Sequence, residues 1–218
     1  MKIQFLTSKN SWIAKFKKKQ ILASLKKFTK NPKFITSYKN LNKNYDINII
    51  LSYYELINEK YLSYSKHNLV AHESNLPLGR GHSPLYWQIL KSKKNIVTTL
   101  FECSKNVDSG YIYYKKKYYY PENLLFNEIK EKQFSNSLKL VLKFLSYYKK
   151  NNKPPVAKKQ LGKVTYYKKL KKIDSEININ ASIKSQFNRI RISDNDKFPT
   201  FFFYKKKKFV LKIYSSNE

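Results

Sequence analysis

Side chains capable of acid–base chemistry are concentrated in one short stretch of the chain, residues 67–84. All three histidines lie there (His67, His72 and His82), with two of the four glycines and with Arg80, one of only three arginines. An imidazole changes its charge near neutral pH and can act as an acid, a base or a hydrogen-bond donor. Glycines let a backbone approach a ligand closely. We therefore predict a catalytic or ligand-binding site around His72; the alternative is a turn that merely requires glycine.

An aspartate later in the chain is the candidate partner of this imidazole. Asp108 precedes Gly110 by two residues and follows the apolar segment 96–101. A carboxylate beside an imidazole favours the protonated ring and holds it in one orientation. The alternative is an ordinary turn aspartate, since Asp and Gly are both typical turn residues.

The apolar pattern indicates which elements must bring these two residues together. Short apolar runs predict strands at 3–7, 33–38, 47–51, 67–71 and 96–101, and an edge hairpin at 111–120. Helical periodicity predicts helices at 12–28, 53–62, 84–90, 122–148 and 182–190. Strands that alternate with helices favour an α/β fold with a largely parallel sheet. Such a sheet binds ligands beyond the carboxyl ends of its strands, and His72 directly follows a predicted strand.

A run of Asn, Lys and Pro at residues 151–155 predicts a domain boundary. We expect a catalytic domain at residues 1–150 and a small subdomain at 151–218. The apolar segments 198–204 and 208–214 flank a lysine-rich turn and predict a β-hairpin. The second part should therefore be a small, mostly-β extension.

Composition limits the classes of function. The net charge is +31, but only three of the 45 basic residues are arginine, the side chain best suited to bidentate phosphate recognition. Much of this charge therefore fits a coding bias towards lysine rather than a nucleic-acid surface. The single cysteine, Cys103, excludes an internal disulfide and a cysteine-based zinc site, and we expect no metal. No long apolar run and no signal-peptide pattern are visible, which predicts a cytoplasmic protein without a membrane partner.

An ordered set of residues resembles a known family. It reads His72-x-Ser-x-Leu76-Pro77-x-Gly-Arg80-Gly81-x-x-Pro84-x-x-Trp87, followed by Asp108-x-Gly110-x-Ile112. This is similar to the pattern of the 10-formyltetrahydrofolate-dependent formyltransferases. Gln160-x-Gly162, Thr165-Tyr166-Tyr167, Asp174, Asn188-x-x-Arg191 and Phe198-Pro199 resemble the C-terminal extension of sugar and tRNA formyltransferases. The string His-Glu-Ser-x-Leu-Pro with Gly-Arg-Gly looks most like the amino-sugar branch.

The resemblance implies a Rossmann-like formyltransferase domain and a reaction. A formyl group would pass from 10-formyltetrahydrofolate, the co-substrate, to the amine of a nucleotide-linked amino sugar. His72 would donate a hydrogen bond to the developing oxyanion, and Asp108 would position His72 and help to manage protons. The residues implied in folate binding are Leu76, Pro77, Arg80, Gly81 and Val107. Those implied in acceptor binding are Gln160, Tyr166 and Arg191. For Arg191 the alternative is an ion pair with Asp174 or Asp194.

The chain departs from the family pattern two residues before His72. The family has an asparagine there, whereas this chain has Val70, which cannot donate a hydrogen bond to a formyl oxygen. Asn68 faces the same side of the predicted strand. We predict Asn68 as a third catalytic residue if a local bulge brings it closer to His72. The alternatives are that a neighbouring polar group substitutes and that Asn68 is structural.

Two other functions remain open at this stage. A methionyl-tRNA formyltransferase would suit the positive charge, although only a short segment follows Pro155. A non-enzymatic, basic RNA-binding protein would suit the lysine content but not the ordered site residues. For the enzyme we expect a small-molecule acceptor, and a homodimer is one assembly open to it.

Overall fold

Ten strands are present in the computed structural model, which describes residues 1–216. The strands are β1 (Ile3–Leu6), β2 (Lys33–Ile35), β3 (Tyr45–Ile50), β4 (Ser65–His72), β5 (Arg80–Gly81), β6 (Asn95–Glu102), β7 (Ile112–Tyr119), β8 (Tyr166–Tyr167), β9 (Thr200–Tyr204) and β10 (Lys207–Leu211). Six of them form one sheet in the order β2–β1–β3–β4–β6–β7. The sheet is parallel from β2 to β4, and β6 and β7 then run antiparallel. The predicted α/β fold with a largely parallel sheet is confirmed.

Helices cover the sheet. They are α1 (Trp12–Phe16), α2 (Lys18–Lys26), α3 (Glu59–Leu62), α4 (Pro84–Leu90), α5 (Phe126–Asn151) and α6 (Ile183–Arg191), with short 3₁₀ turns at Tyr38–Asn40 and Lys172–Ser175. The main apolar core lies between the sheet and one face of α5, where Phe134, Val141 and Phe144 are buried. Val70 of β4 packs on the other side, in a small cluster with Leu76 and Phe101. Strand β4 is therefore covered on both faces, which fixes its register and the position of its last residue.

The predicted helix at 53–62 is wrong over most of its length. Only Glu59–Leu62 is helical, because Asn58 caps the helix by accepting a hydrogen bond from the backbone N–H of Lys60 at 2.9 Å. Tyr53 and Ile57 still pack against the apolar cluster around Leu6. Their four-residue spacing matches the apolar face of a helix, which explains the wrong prediction, although their backbone is irregular.

The segment after α5 folds back onto the first part of the chain. Strand β8 pairs in parallel with β5, and Lys158 bridges Ile112 at the start of β7. Strands β9 and β10 form the predicted antiparallel hairpin. Helix α5 ends at Asn151, and a division of the chain there stays a prediction. Within residues 1–216, none of the helices has the length and apolar composition that a membrane crossing requires.

Candidate functional site

His72 is the last residue of β4, and its ring is held by the loop that follows. Its Nε2 lies 2.8 Å from the carbonyl oxygen of Gly79. Because a carbonyl can only accept a hydrogen bond, Nε2 must carry a proton. That contact leaves Nδ1 as the nitrogen that can face a substrate. The side chain is 9% exposed, so the ring is sheltered from bulk water without being sealed.

Asp108 reaches the same ring. Its Oδ2 lies 3.7 Å from His72 Nε2 and accepts a hydrogen bond of 2.8 Å from the backbone N–H of Gly81. The residue has a left-handed backbone with φ of 50° and a side chain that is 14% exposed. A carboxylate at this distance stabilises a protonated imidazole. The structure therefore brings together the two predicted side chains.

The route by which Asp108 arrives differs from the one expected. Strand β6 is antiparallel to β4, so its last residue, Glu102, pairs with Leu69 in the middle of β4. The loop after β6 thus begins well below His72 and returns towards it to meet Gly81. His72 and Asp108 therefore do not meet because two parallel strands end at the same edge of the sheet.

The loop between His72 and α4 depends on its glycines. Gly79 and Gly81 have φ angles of 71° and 93°. A Cβ on Gly81 would lie 2.6 Å from the carbonyl oxygen of Tyr167. Thr165 also holds this loop, since its hydroxyl oxygen accepts a hydrogen bond of 2.7 Å from Gly79 N–H. Sequence reasoning placed no role on Thr165, and only the β5–β8 pairing, which joins distant residues, reveals one.

Gln160 corrects a sequence prediction. Its side-chain amide donates to the carbonyl oxygens of Asp108 and Gly110, each at 2.9 Å, and its Oε1 accepts from Arg80 Nη2 at 2.8 Å. Both amide hydrogens and the oxygen are thus engaged within the protein. Gln160 is a positioning residue that ties the Arg80 loop to the Asp108 loop, not a direct acceptor contact.

Replacing Gln160 with alanine is therefore expected to lower kcat by about tenfold, because the loops that carry Arg80 and Asp108 lose their shared contact. KM for the acceptor should change little, which a direct acceptor contact would not allow. Steady-state kinetics separate the two cases. Gln160→Glu, which keeps the acceptor for Arg80 but loses the donors, should fall between wild type and alanine. A rise in KM with an unchanged kcat would restore the direct role.

Asn68 lies away from the site. The register of β4 is continuous through His72, with no bulge, so Asn68 stays about 13 Å along the strand from it. Its side chain donates to the carbonyl oxygen of Leu62 at 2.9 Å and accepts from Asn48 at 3.1 Å. The prediction of a catalytic Asn68 is wrong, because its amide is buried and satisfied in a structural contact.

Arg191 is also a correction. The residue is only 2% exposed on α6. Its guanidinium donates to Asn188 Oδ1 at 2.8 Å and to the carbonyl oxygens of Pro121 and Leu124 at 3.0 and 3.3 Å. The predicted acceptor contact is wrong, and neither aspartate considered as a partner bonds to it. Arg191 instead joins α6 to the segment that leads into α5.

Arg191→Ala is expected to lower the free energy of unfolding by about 3 kcal/mol, because two partly buried carbonyls lose their donor and a large buried side chain is removed. Urea unfolding measures this change. Lys184→Ala, an exposed lysine on the same helix, serves as the control and should have little effect. An Arg191→Ala protein of wild-type stability would contradict the structural role.

The other residues implied in folate binding divide into exposed and buried groups. Leu76 is buried within an apolar cluster, so only its backbone can touch a ligand. Pro77 is buried too, and its carbonyl accepts from Thr165 N–H at 3.4 Å. Val107, beside Asp108, is 44% exposed. Arg80 has a buried Nε without a partner in residues 1–216, a donor that a bound ligand would satisfy.

Among the residues that the structure describes, the remaining candidate side chains, those of Tyr166, His82 and His67, form no hydrogen bond with His72 or Asp108. Tyr166 is 65% exposed on β8 and stays a prediction as an acceptor contact. His82 is exposed, and His67 packs against Phe144 and Tyr148 on the opposite face of β4. Within residues 1–216, no group of three or more His, Cys, Asp or Glu side chains is arranged to hold a metal ion.

Glu73, next to His72, is a buried acid that the sequence did not single out. Its Oε1 accepts from Ser137 of α5 at 3.2 Å. Burial raises the pKa of its carboxyl, and the opposing effects of His72 and of hydrogen bonds only partly offset this. The folded protein therefore holds the Glu73 proton more tightly than the unfolded chain does.

A raised pKa in the folded state means that stability falls as pH rises through the window above the usual value of 4.5. Glu73→Gln should remove this loss, so the variant gains stability relative to wild type across that window. Thermal unfolding at a series of pH values measures the difference. Glu122→Gln, an exposed acid, is the control. An identical pH dependence in wild type and Glu73→Gln would refute the assignment.

No protein-family model matches the chain. The methionyl-tRNA formyltransferase of Thermodesulfovibrio yellowstonii is 28% identical over 163 residues, which cover 74% of this chain and 52% of that enzyme. That of Thermosipho melanesiensis is 30% identical over 149 residues, covering 68% of this chain and 47% of that enzyme. The chain spans about half the length of the curated relatives it matches.

Solved structures share the fold. The methionyl-tRNA formyltransferase of Clostridium thermocellum superimposes with a TM-score of 0.78 at 20% identity, covering 100% of this chain and 94% of that one. A sugar N-formyltransferase from Shewanella gives 0.68 at 14% identity, covering 100% and 99%. HypX from Aquifex aeolicus in complex with tetrahydrofolic acid gives 0.72 at 15% identity, covering 98% and 37%. Its sequence relatives and its structural neighbours are formyltransferases, so the predicted resemblance to that family is confirmed.

Proposed function

We propose that this protein transfers a formyl group from 10-formyltetrahydrofolate to the primary amine of a nucleotide-linked amino sugar. The observation that carries the transfer step is the pairing of His72 with Asp108 at the end of β4, beside a glycine loop. The methionyl-tRNA formyltransferase relatives support the formyl chemistry, and the structural neighbour HypX, solved with tetrahydrofolic acid, supports a folate co-substrate.

The chemistry asked of the site is modest. A bond forms between the acceptor nitrogen and the formyl carbon, the bond from that carbon to the folate nitrogen breaks, and one proton passes from the amine to the folate. His72 Nε2 is committed to Gly79, so Nδ1 is available to accept the amine proton. Once protonated, Nδ1 can donate to the oxyanion. Asp108 stabilises the resulting positive charge.

The loops around His72 fit a folate in two respects. Arg80 offers a buried Nε that lacks a partner within residues 1–216, and Val107 exposes an apolar side chain next to Asp108. A pterin ring presents both flat apolar surface and hydrogen-bond acceptors. The proposal assigns Arg80, Gly81 and Val107 to this ligand, with backbone contacts from Leu76 and Pro77.

The acceptor is the open part of the reaction. The chain covers 99% of the Shewanella sugar N-formyltransferase and 94% of the Clostridium thermocellum methionyl-tRNA formyltransferase, so coverage suits both acceptors equally. The string His-Glu-Ser-x-Leu-Pro with Gly-Arg-Gly, which resembles the amino-sugar branch, supports the amino-sugar acceptor. The sequence relatives are methionyl-tRNA formyltransferases, and a net charge of +31 would attract tRNA, which makes methionyl-tRNA the second candidate.

The test supplies purified protein with 10-formyltetrahydrofolate and, in separate reactions, a panel of nucleotide-linked amino sugars or methionyl-tRNA. Mass spectrometry detects the formamide on each acceptor. Formylation of one or more sugar nucleotides, but not of tRNA, is expected. Formylation of methionyl-tRNA alone would replace the sugar acceptor with the second candidate. No formylated product with any amine, although calorimetry shows that a reduced folate binds, would refute the proposed transfer.

A further inference from the structure

We propose that Trp87 and Tyr167, flanked by Lys91 and Lys168, form a subsite that binds the nucleoside diphosphate part of the acceptor. The aromatic pair would stack on the base, and the two ammonium groups would contact the phosphates. This inference rests on the proposed function, because it concerns the acceptor of the same reaction.

The two rings are already arranged as a stacking platform. Trp87 lies on α4 and Tyr167 on β8, and their planes differ by only 11° with ring centroids 6.3 Å apart. The indole Nε1–H of Trp87 donates to the carbonyl oxygen of Lys168 at 2.7 Å, which fixes the ring in this orientation. A planar group that stacks on fixed rings loses little side-chain entropy from the protein. Stacking on an aromatic side chain favours any nucleobase, because every base has a flat π-face.

Two lysines stand over this pair. The Lys91 ammonium lies 5.3 Å from the centre of the Tyr167 ring, and the Lys168 ammonium lies 5.8 Å from that of Trp87. The surface of this protein is rich in lysine, so a lysine alone indicates little. What distinguishes these two is their place beside a pair of parallel rings. A base with an attached diphosphate matches this combination of flat apolar surface and positive charge.

The platform adjoins the reactive groups. A Cβ on Gly79 would lie 2.6 Å from Cε2 of Tyr167, so the Tyr167 ring rests against the loop that holds His72. The carbonyl oxygen of the same glycine accepts the hydrogen bond from His72 Nε2 at 2.8 Å. A nucleotide on the platform would therefore have its sugar directed along this loop towards His72.

Simple packing explains the pair less well. Both rings are only half-buried, and neither belongs to the buried apolar clusters of residues 1–216. Each ring keeps part of its surface open to solvent, whereas Leu85 and Ile89 of the same helix are buried. A half-buried aromatic pair beside the His72 loop is a candidate for recognition rather than for the core.

Tryptophan fluorescence tests the subsite without any formyl donor. The chain has two tryptophans, and Trp12 lies far along the sequence, where its Nε1–H bonds to Asn127 of α5. In a Trp12→Phe protein, Trp87 is therefore the only indole emitter. Titration with UDP or dTDP should quench its emission in a saturable manner. Exchange of Lys91 and Lys168 for glutamine should weaken this binding by roughly tenfold.

Matched variants separate the subsite from general charge effects. Lys139→Gln with Lys150→Gln removes the same charge from exposed positions on α5 and should leave nucleotide binding unchanged. In the active enzyme, Trp87→Ala should raise KM for the sugar nucleotide with kcat little changed, and Trp87→Phe should largely restore it. Circular dichroism checks that each variant is folded.

Two outcomes would overturn the inference. One is the absence of saturable quenching by either nucleotide, and the other is equal weakening by the α5 lysine pair. Neither depends on catalysis. If folate-dependent formylation of a sugar nucleotide persists while quenching fails, the subsite is wrong and the proposed function stands. If quenching succeeds but no amine is formylated, the platform binds nucleotides and the proposed transfer fails.

Discussion

Replacing His72 with alanine is expected to lower kcat for formyl transfer by about a hundredfold or more. The variant loses both the base that accepts the amine proton and the donor to the oxyanion. It should remain folded, because the main lost contact is one hydrogen bond to Gly79, which contributes roughly 1 kcal/mol. Initial rates of tetrahydrofolate release, measured with saturating acceptor, give the change in kcat.

His82→Ala is the matched control, since His82 lies in the same stretch of chain but its side chain is exposed. That variant should keep wild-type kcat. Asp108→Asn should give an intermediate loss, because an asparagine oxygen can still accept from Gly81 N–H but cannot stabilise the imidazolium. Wild-type turnover in His72→Ala would sink the catalytic assignment, whatever the acceptor proves to be.

The pairing of His72 with Asp108 illustrates what the sequence could predict. Residue type, a preceding apolar strand and nearby glycines were enough to select both side chains. Both residues were predicted to follow parallel strands, whereas β6 runs antiparallel to β4 and its loop returns to the site. Strand direction depends on how the chain crosses the sheet, and no local pattern encodes it. The two side chains therefore meet by a route other than the predicted one, and their catalytic role stays a prediction.

Asn68 and Val70 show a different limit. Alternation along a strand correctly placed both on the face that His72 occupies, but it says nothing about local bulges or about partners from other strands. Asn48 of the neighbouring strand donates a hydrogen bond to the Asn68 side chain, and Val70 packs in the apolar cluster around Leu76. Val70 stands where the family has an asparagine, and Asn68 is too far along β4 to replace that amide. His72 and Asp108 therefore carry a larger share of the proposed chemistry.

Gln160 and Arg191 were both predicted to contact the acceptor, and both instead hold the protein together. The partners of Arg191 are backbone carbonyls at 121 and 124, and those of Gln160 are at 108 and 110. Backbone carbonyls occur at every residue and leave no mark in a sequence. A buried polar side chain that bonds to distant backbone is thus the kind of feature that only three-dimensional structure reveals.

Gly110→Ala is expected to lower kcat by about tenfold to a hundredfold, although Gly110 touches no reacting atom. A Cβ at this position would lie 1.7 Å from the backbone carbonyl oxygen of Glu102. Neither backbone can yield locally, because Glu102 is the last residue of β6 and its N–H bonds to the carbonyl of Tyr111. The loop that carries Asp108 must therefore shift, and with it the contacts to Gly81 and Gln160.

The free energy of unfolding should also fall, by roughly 1–3 kcal/mol, as for other overpacked sites. Gly162→Ala is the matched control: its φ of 100° strains an alanine by a similar amount, but a Cβ there meets no atom within 4 Å. It should lose stability and keep its kcat. Kinetics and urea unfolding on both proteins therefore distinguish displacement of Asp108 from a general loss of stability. One outcome would contradict this prediction: both variants lose the same stability and both keep wild-type kcat. A displaced Asp108 carboxylate would then have no effect on kcat, so its position would not control turnover.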